Sequence, residues 1–280
     1  MVLAFYFILR GMYLAVDIGG TKTLLASFTD AGKLTKSYKF ATPQAYNDFI
    51  AIFRTNLANL DCDDFRASCV AAPGKIDRKT GNALAFGNLA WHNAPLRHDI
   101  EQIIGCPVII ENDTKLAALS EAHELKNSFS KVLYVTISTG ISSGLVVDGK
   151  LVPSMLDSES GQMLLEHKDK LATWESFASG KAIVAKYGKL ASEITDTSAW
   201  KDISHAIALG LIDLIATIQP EVIVIGGGVG SNFAKFKTPL LNELKSYEMP
   251  LVPIPPVRQA KRPEEAVIYG CYLLAKDTYA

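Results

Sequence analysis

Asp113 follows the apolar run Pro107-Val108-Ile109-Ile110 and directly precedes a helix-like stretch. A carboxylate at the carboxyl-terminal end of a strand in an α/β protein stands where substrates bind, and it can take a proton from a substrate hydroxyl. Asn112 and Asp113 also suit plain N-capping of the following helix, and one residue pair can do both. Two further segments carry the residue types of a phosphate cradle: Asp17-Ile18-Gly19-Gly20-Thr21-Lys22-Thr23 and Ser138-Thr139-Gly140-Ile141-Ser142-Ser143-Gly144. Turns built from small residues bend tightly and gather several N–H groups, the geometry that holds phosphate oxygens, although ordinary hairpins share this composition. In the first turn Asp17 can hold Mg²⁺ through water, Gly19 and Gly20 let the backbone approach a ligand, and Thr21 and Lys22 offer a hydroxyl and a cation. An aspartate that merely opens a turn would look the same.

A third candidate is Glu221-Val-Ile-Val-Ile-Gly226-Gly227-Gly228-Val-Gly230, an apolar strand running into glycine and then a helix. It is not a dinucleotide fingerprint, because Ser231 stands where the third glycine belongs. A glycine surface on which an adenosine can lie is the better reading. No Gly-Lys pair in the chain is followed by Ser or Thr, which excludes a P-loop. His92, His98, His123, His167 and His205 form no HExxH, and Cys62, Cys69, Cys106 and Cys271 form no CxxC, so neither a zinc nor a dithiol motif is present. The cysteines read as reduced thiols of a cytoplasmic protein.

The elements that must position these residues follow from periodicity. Tyr13 to Thr29 and Leu133 to Gly149 share one construction, strand, small-residue turn, strand, about 120 residues apart. This echo points to a duplicated architecture. Leu34 to Phe40 reads as a third strand, Asn47 to Leu60 as a helix, Ala67 to Gly74 as a buried strand ending in a Pro-Gly turn, and Thr114 to Leu125 as a helix. The second half continues with helices near Thr173 to Tyr187 and Asp202 to Ile218, a strand from Glu221 to Ile225, a helix around Asn232 to Tyr247, and a closing helix from Pro263 to Lys276. Alternating strands and helices imply an α/β layer structure.

Composition bounds the function. The 280 residues are 49% hydrophobic and 20% charged, the balance of a soluble globular chain. Lys and Arg number 28 against 29 Asp and Glu, which leaves no basic surplus for nucleic acid. No apolar run reaches the roughly 18 residues that cross a membrane. Residues 1–11 read as an extension, with Met12 directly preceding the strand-like run Tyr13-Leu-Ala-Val-Asp17.

Taken together the motifs resemble the ROK family of sugar kinases and related repressors, over nearly all of the chain from Met12 onward. DIGGTKT resembles the family's first phosphate motif, STGISSG its second, usually GTGIGGG, and IGGGVG its adenosine motif. AAPGKID and GNLAWHNAPL look like its sugar-side segments, and ENDTKLAALSEA is similar to the helix start that carries the catalytic aspartate. The resemblance implies an actin-like ATPase fold of two RNase H-like lobes with a central cleft, the first spanning residues 12–114 joined by a closing helix at 265–280, the second residues 115–264. It implies Mg-ATP bound by Asp17, Gly19, Gly20, Thr21, Lys22, Ser138, Thr139, Gly140, Gly226, Gly227 and Gly228. Asp113 becomes the general base, and Asn88, Asn112, Glu159 and Glu175 become sugar contacts. The implied activity is transfer of the γ-phosphate of ATP to the 6-hydroxyl of a hexose of the glucose or N-acetylhexosamine type, by a cytoplasmic homodimer. A catalytically silent sugar or nucleotide binder is the alternative. Only sixteen residues precede Asp17, too few for the helix-turn-helix of the repressor members.

The departures from the pattern carry expectations of their own. Ser138, Ser142 and Ser143 replace usual glycines in the second turn, and hydroxyls can stand in for closer backbone approach. Gln162 occupies the place of a zinc-binding histidine, and no cysteine lies between Gly161 and Glu175, so no structural zinc is expected. Helical packing by Met163, Leu164, Leu165, Leu171 and Trp174 is expected to hold Glu159 and Glu175 instead.

Overall fold

The structure is a computed structural model and describes residues 11–62, 64–86, 89–262 and 265–280. The chain forms two compact units, one running to Ser120 and including Glu265–Ala280, the other comprising Glu121–Glu264. In the first unit the elements are β1 (Met12–Ile18), β2 (Lys22–Thr29), β3 (Leu34–Ala41), α1 (Tyr46–Asn56), β4 (Phe65–Ala72), β5 (Lys75–Asp77), β6 (Asn82–Ala85), β7 (His92–Ala94), α2 (Leu96–Ile104), β8 (Val108–Asn112) and the start of α3 (Asp113–Leu125), whose last residues belong to the second unit, with the closing helix Ala266–Tyr279.

Its main sheet has the order β3-β2-β1-β4-β8. The first three strands are antiparallel neighbours, and β4 and β8 run parallel to β1. Helices cover both faces, which is why β1 and β4 read as continuous apolar runs rather than alternating ones. Tyr13, Ala15, Ala26, Phe28 and Cys69 pack on Ile268, Cys271 and Tyr272 of the closing helix. Leu14, Val16, Ile18 and Val70 face the other way, toward Phe49 and Phe53 of α1 and Leu96 and Ile100 of α2.

The second unit contains β9 (Lys131–Ile137), β10 (Ile141–Val147), β11 (Lys150–Leu151), β12 (Leu164–His167), β13 (Lys170–Thr173), α4 (Trp174–Ala178), α5 (Gly180–Tyr187), α6 (Thr197–Ile218), β14 (Val222–Gly226), α7 (Gly227–Gly230), α8 (Phe233–Ser246) and β15 (Val257–Gln259). Its sheet, β11-β10-β9-β14-β15, repeats the first one's plan, an antiparallel run followed by two parallel strands. The echo in the sequence is therefore the β1-β2 and β9-β10 hairpins.

Two local expectations are corrected. The helix expected near Thr173 to Tyr187 is two helices: at Ser179 the chain breaks, and the Ser179 hydroxyl accepts the Ala182 N–H at 3.3 Å as the N-cap of α5. The segment after Met163 is not helical but a hairpin, with Leu164 opposite Thr173 and His167 opposite Lys170. Lys168 and Asp169 turn it with φ of 53° and 60°, the positive values that two-residue hairpin turns require. Leu164 and Leu171 lie on its outer face, 64% and 73% exposed, so they hold nothing. Trp174, fully buried, does hold: its Nε1 donates to Ala206 O at 3.0 Å, and its N–H closes the hairpin on Met163 O at 2.8 Å.

This division of labour is measurable by chemical denaturation. Trp174→Ala is expected to cost about 3–5 kcal/mol through the cavity it leaves, whereas Leu164→Ser and Leu171→Ser should stay within about 0.5 kcal/mol of the parent. A large loss from either leucine would contradict the hairpin's placement.

Candidate active site

In the first unit β1, β4 and β8 run in one direction, and the register line Asp17, Ala71, Glu111 crosses all three near their carboxyl-terminal ends. Asp113 follows one step beyond β8 as the first residue of α3. The two carboxylates interact: burial first, and then the negative charge of Asp113, push the Asp17 pKa up to about 7, with Lys39 acting in the opposite sense. Lys39 sits opposite Leu24, which in turn sits opposite Asp17, so the three side chains share one sheet face. Asp113 is also raised above its ordinary value by burial, against the Thr114 hydrogen bonds and the Lys115 charge that favour its ionised form.

What fixes Asp113 is the cap geometry. The Asn112 side-chain oxygen accepts the Thr114 and Lys115 N–H groups at 3.0 and 3.4 Å, which makes Asn112 the cap expected of this pair. An Asp113 oxygen accepts the Thr114 N–H at 2.7 Å. Below them Glu111, 4% exposed, accepts a fork from Arg78: Nε to Oε2 at 2.7 Å and Nη2 to Oε1 at 2.6 Å. The same Oε1 takes the Asn112 N–H at 2.6 Å, so the pair braces the backbone that carries Asn112 and Asp113. A glutamate ending an otherwise apolar strand signals that a cation must meet it, although several arginines are eligible by sequence.

The first turn is also braced by a residue outside it. Thr42 donates its hydroxyl to Gly19 O at 2.8 Å and its N–H to Thr21 O at 3.0 Å, and its hydroxyl lies 2.9 Å from that of Thr23. Gly19 is obligatory: a Cβ there would stand 2.8 Å from the Lys22 carbonyl oxygen. Gly20 is half-buried, while Thr21 and Lys22 project into solvent.

The second unit brings another constellation together. Glu175, at the start of α4, accepts the Ile141 N–H at 3.3 Å and the Gln162 side-chain amide at 2.7 Å. Gly140 approaches so closely that a Cβ would lie 2.7 Å from the Glu175 Oε2. Glu159, exposed, opens the short turn Ser160–Gln162, and its carbonyl accepts the Gln162 N–H at 3.0 Å. The turn at Ser138 is locked to α5 by the Gly180 N–H on Ser138 O at 2.7 Å. Beside it lies a cavity of about 530 Å³ lined by Ser138, Thr139, Lys181, Leu190, Gly228 and Val229. Gly226 closes β14, Gly227 has a φ of +79°, and Gly228 has open space where a Cβ would be. Asn88 lies outside the described residues.

Sequence pattern gives no sign of Thr42 or Lys39, and it marks Gln162 only as a departure. Among the described residues no group of three His, Cys, Asp or Glu is placed to hold a metal ion. Asp17 alone suits Mg²⁺, which keeps most of its water and needs one or two carboxylates. All four cysteines are free thiols. No helix of the described residues is long and apolar enough to cross a membrane.

Burying Asp17 beside Asp113 has a stability consequence. A carboxyl whose folded pKa lies above its unfolded one contributes fully below the unfolded value, near pH 4, and loses that contribution as the pH rises through about 7. Asp17→Asn removes the effect. In the absence of nucleotide and divalent cation it is expected to be about as stable as the parent at pH 4 and more stable by roughly 1–3 kcal/mol at pH 8. Denaturation curves at the two pH values check this, and equal parent and variant stability at pH 8 would show that the carboxylate is not strained.

The model of the ROK family matches residues 13–278. A glucokinase of Halalkalibacterium halodurans is 27% identical, across 86% of this chain and 87% of its own. An N-acetyl-D-glucosamine kinase of Histophilus somni is 29% identical, across 94% of this chain and 98% of its own. Among solved structures, a ROK family glucokinase from Streptomyces griseus in complex with glucose and AMPPNP is similar with a TM-score of 0.80 at 23% identity, covering 95% of this chain and 100% of that one. This likeness, with the two repeated sheets, gives the fold as that of the actin-like ATPases. With a family match running from the first strand into the closing helix, the chain belongs to the ROK family.

Proposed function

We propose that this chain is an ATP-dependent hexose kinase, acting on the 6-hydroxyl of glucose or an N-acetylhexosamine, with Asp113 as the general base. The observation that carries the reading is the capped, braced and desolvated Asp113 carboxylate beside Asp17 at the ends of parallel strands. A binding protein has no use for a strained carboxylate in that position. The relatives that are themselves named glucokinase and N-acetyl-D-glucosamine kinase support the same class.

In this mechanism Asp113 accepts the proton of the sugar hydroxyl as its oxygen bonds to the γ-phosphorus. The bond from that phosphorus to the bridging oxygen breaks, and ADP departs. Such transfer asks a protein mainly for alignment and charge neutralisation. Thr21, Lys22, Ser138, Thr139 and the backbone at Gly19, Gly20 and Gly140 are the proposed phosphate contacts, and Gly226, Gly227 and Gly228 the adenosine surface. Mg²⁺ held at Asp17 through water would supply further neutralisation when bound. Asn112, Glu159 and Glu175 are the proposed sugar contacts, with Gln162 keeping the Glu175 carboxylate in one orientation. The two units would act as the lobes expected from the sequence. A cytoplasmic location and a homodimeric state complete the reading.

The test is Asp113→Asn. Sugar-dependent ADP release is expected to fall by about 10² to 10⁴-fold, while affinity for AMPPNP stays within about threefold. In the parent enzyme the rate should drop on the acid side at a pH above the ordinary carboxylate range, because the base must be unprotonated and its pKa is raised. Near-parental turnover in the variant would remove Asp113 from the mechanism. The reading also includes no structural zinc, since a hairpin stands between Met163 and Trp174. Elemental analysis of protein purified without chelator is expected to find less than 0.1 zinc per chain, roughly the background for a chain without the four-ligand set zinc favours, and a stoichiometric amount would contradict it.

A further inference from the structure

Thr42 reaches the first turn through its side chain and its backbone at once. It follows β3 directly, and Pro43 after it confines Thr42 to extended backbone and brings no N–H of its own, so the pairing does not continue beyond this point. The Thr42 hydroxyl donates to Gly19 O at 2.8 Å, and the Thr42 N–H donates to Thr21 O at 3.0 Å. A hydroxyl has one hydrogen to give. With that hydrogen on Gly19 O, the 2.9 Å contact between the Thr42 and Thr23 hydroxyls has Thr23 as its donor. The relay therefore runs from Thr23 through Thr42 to the Gly19 carbonyl, and both threonines are buried.

This relay decides which way the turn's N–H groups face. The Gly19 N–H is used on Lys22 O at 2.9 Å, whereas among the described residues no acceptor meets the N–H of Gly20 or of Thr21. The carbonyl and N–H of one trans peptide point in opposite directions, and no peptide bond of the described residues is cis. Drawing Gly19 O toward Thr42 thus turns the Gly20 N–H the other way. Side chains alternate along a strand, so Thr23 and Leu24 lie on opposite faces of the sheet, and Asp17, opposite Leu24, lies on the face away from Thr23. Thr42 holds the carbonyl on the Thr23 side and leaves the N–H to the side of Asp17.

We infer that Thr42 is a positioning residue for the nucleotide: by holding the Gly19 carbonyl it presents the Gly20 N–H to a phosphate. This rests on the kinase reading above, and it gives the first turn a donor oriented before the nucleotide arrives. Such a donor loses no freedom on binding, and a hydrogen bond to a charged group is worth more than a neutral one. Without the Thr42 hydroxyl the peptide between Gly19 and Gly20 rotates readily, because glycine resists such rotation least.

Two variants of the same buried pair separate this role from simple packing. Thr42→Val keeps the shape and releases Gly19 O, whereas Thr23→Val leaves Thr42 donating to it. By calorimetry without sugar, Thr42→Val is expected to weaken Mg-AMPPNP binding by about 10-fold or more, and Thr23→Val and Thr42→Ser by less than about threefold. Affinity for glucose or N-acetylglucosamine, measured without nucleotide, should stay within about threefold of the parent in all of them. In the parent protein the Gly20 amide resonance should shift on addition of Mg-AMPPNP and stay in place on addition of sugar. Parental AMPPNP affinity in Thr42→Val, an equal loss in Thr23→Val, a matching loss of sugar affinity or an unmoved Gly20 amide would each overturn the inference. The expected binding results without sugar-dependent ADP release in the parent would leave it standing and remove the kinase reading; sugar-dependent ADP release, with parental AMPPNP affinity in Thr42→Val, would do the reverse.

Discussion

Asp17 and Asp113 stand half-buried at the ends of strands separated only by β4, and burial together with the Asp113 charge raises the energy of the Asp17 carboxylate. Like charges held this way destabilise the unit that carries them unless a cation or a proton intervenes. The rest of the first unit is arranged to keep them there all the same. Parallel pairing of β1, β4 and β8 fixes their separation, helices on both faces keep the sheet dry, and the Asn112 cap leaves Asp113 one orientation. The Arg78–Glu111 fork, with Glu111 buried and the Arg78 side chain 26% exposed, then ties the loop after β5 to the last residues of β8. Removing Arg78 would leave the buried Glu111 charge without this partner, a loss of up to about 3–5 kcal/mol that a surface ion pair would not incur.

In the second unit the corresponding constraint falls on Glu175. Its two oxygens take one backbone donor and one side-chain donor, and Gly140 approaches it without a side chain. The Gln162 amide is neutral and can orient the carboxylate without altering its charge. The β12-β13 hairpin fills the interval between Met163 and Trp174. Its inner face is anchored by the buried Trp174 at the base, by Leu165 against the core and by His167 stacked on Phe177 at 4.3 Å, and its outer leucines therefore face water.

Much of this was legible in the residues, and the remainder was hidden for identifiable reasons. The two hairpins and the strand into Gly226-Gly227-Gly228 are local patterns, with periodicity and turn chemistry in agreement, and they fold where expected. Asn112 caps α3 because a short polar side chain before a helix has few better options. Thr42 and Arg78 act across the fold, over 23 and 33 residues, and nothing in their neighbourhood marks them. The hairpin at Leu164 was concealed by its turn. Lys168 and Asp169 adopt positive φ without the glycine or asparagine that normally announces it, and the run Met163-Leu164-Leu165 imitates a helix face.

The repetition of the sheet also shows what the two halves do not share. Asp17 pairs with Leu24 and Ala71 in the first unit, and the equivalent place in the second, opposite Ser142 and Gly226, belongs to Thr136. Ala71 and Ala72 of β4 correspond in the same way to Gly226 and Gly227, so the second sheet ends in bare backbone where the first ends in side chains. A carboxylate at both places would set two negative charges against any polyphosphate, at about 1 kcal/mol or more for each close pair. The first unit keeps its acid at this place, beside Asp113, whereas the second keeps a hydroxyl there and sets the Glu175 carboxylate against the turn at Gly140 and Ile141 instead. Duplication supplied one scaffold twice, and its copies differ at this register position, a carboxylate at Asp17 in one and a hydroxyl at Thr136 in the other.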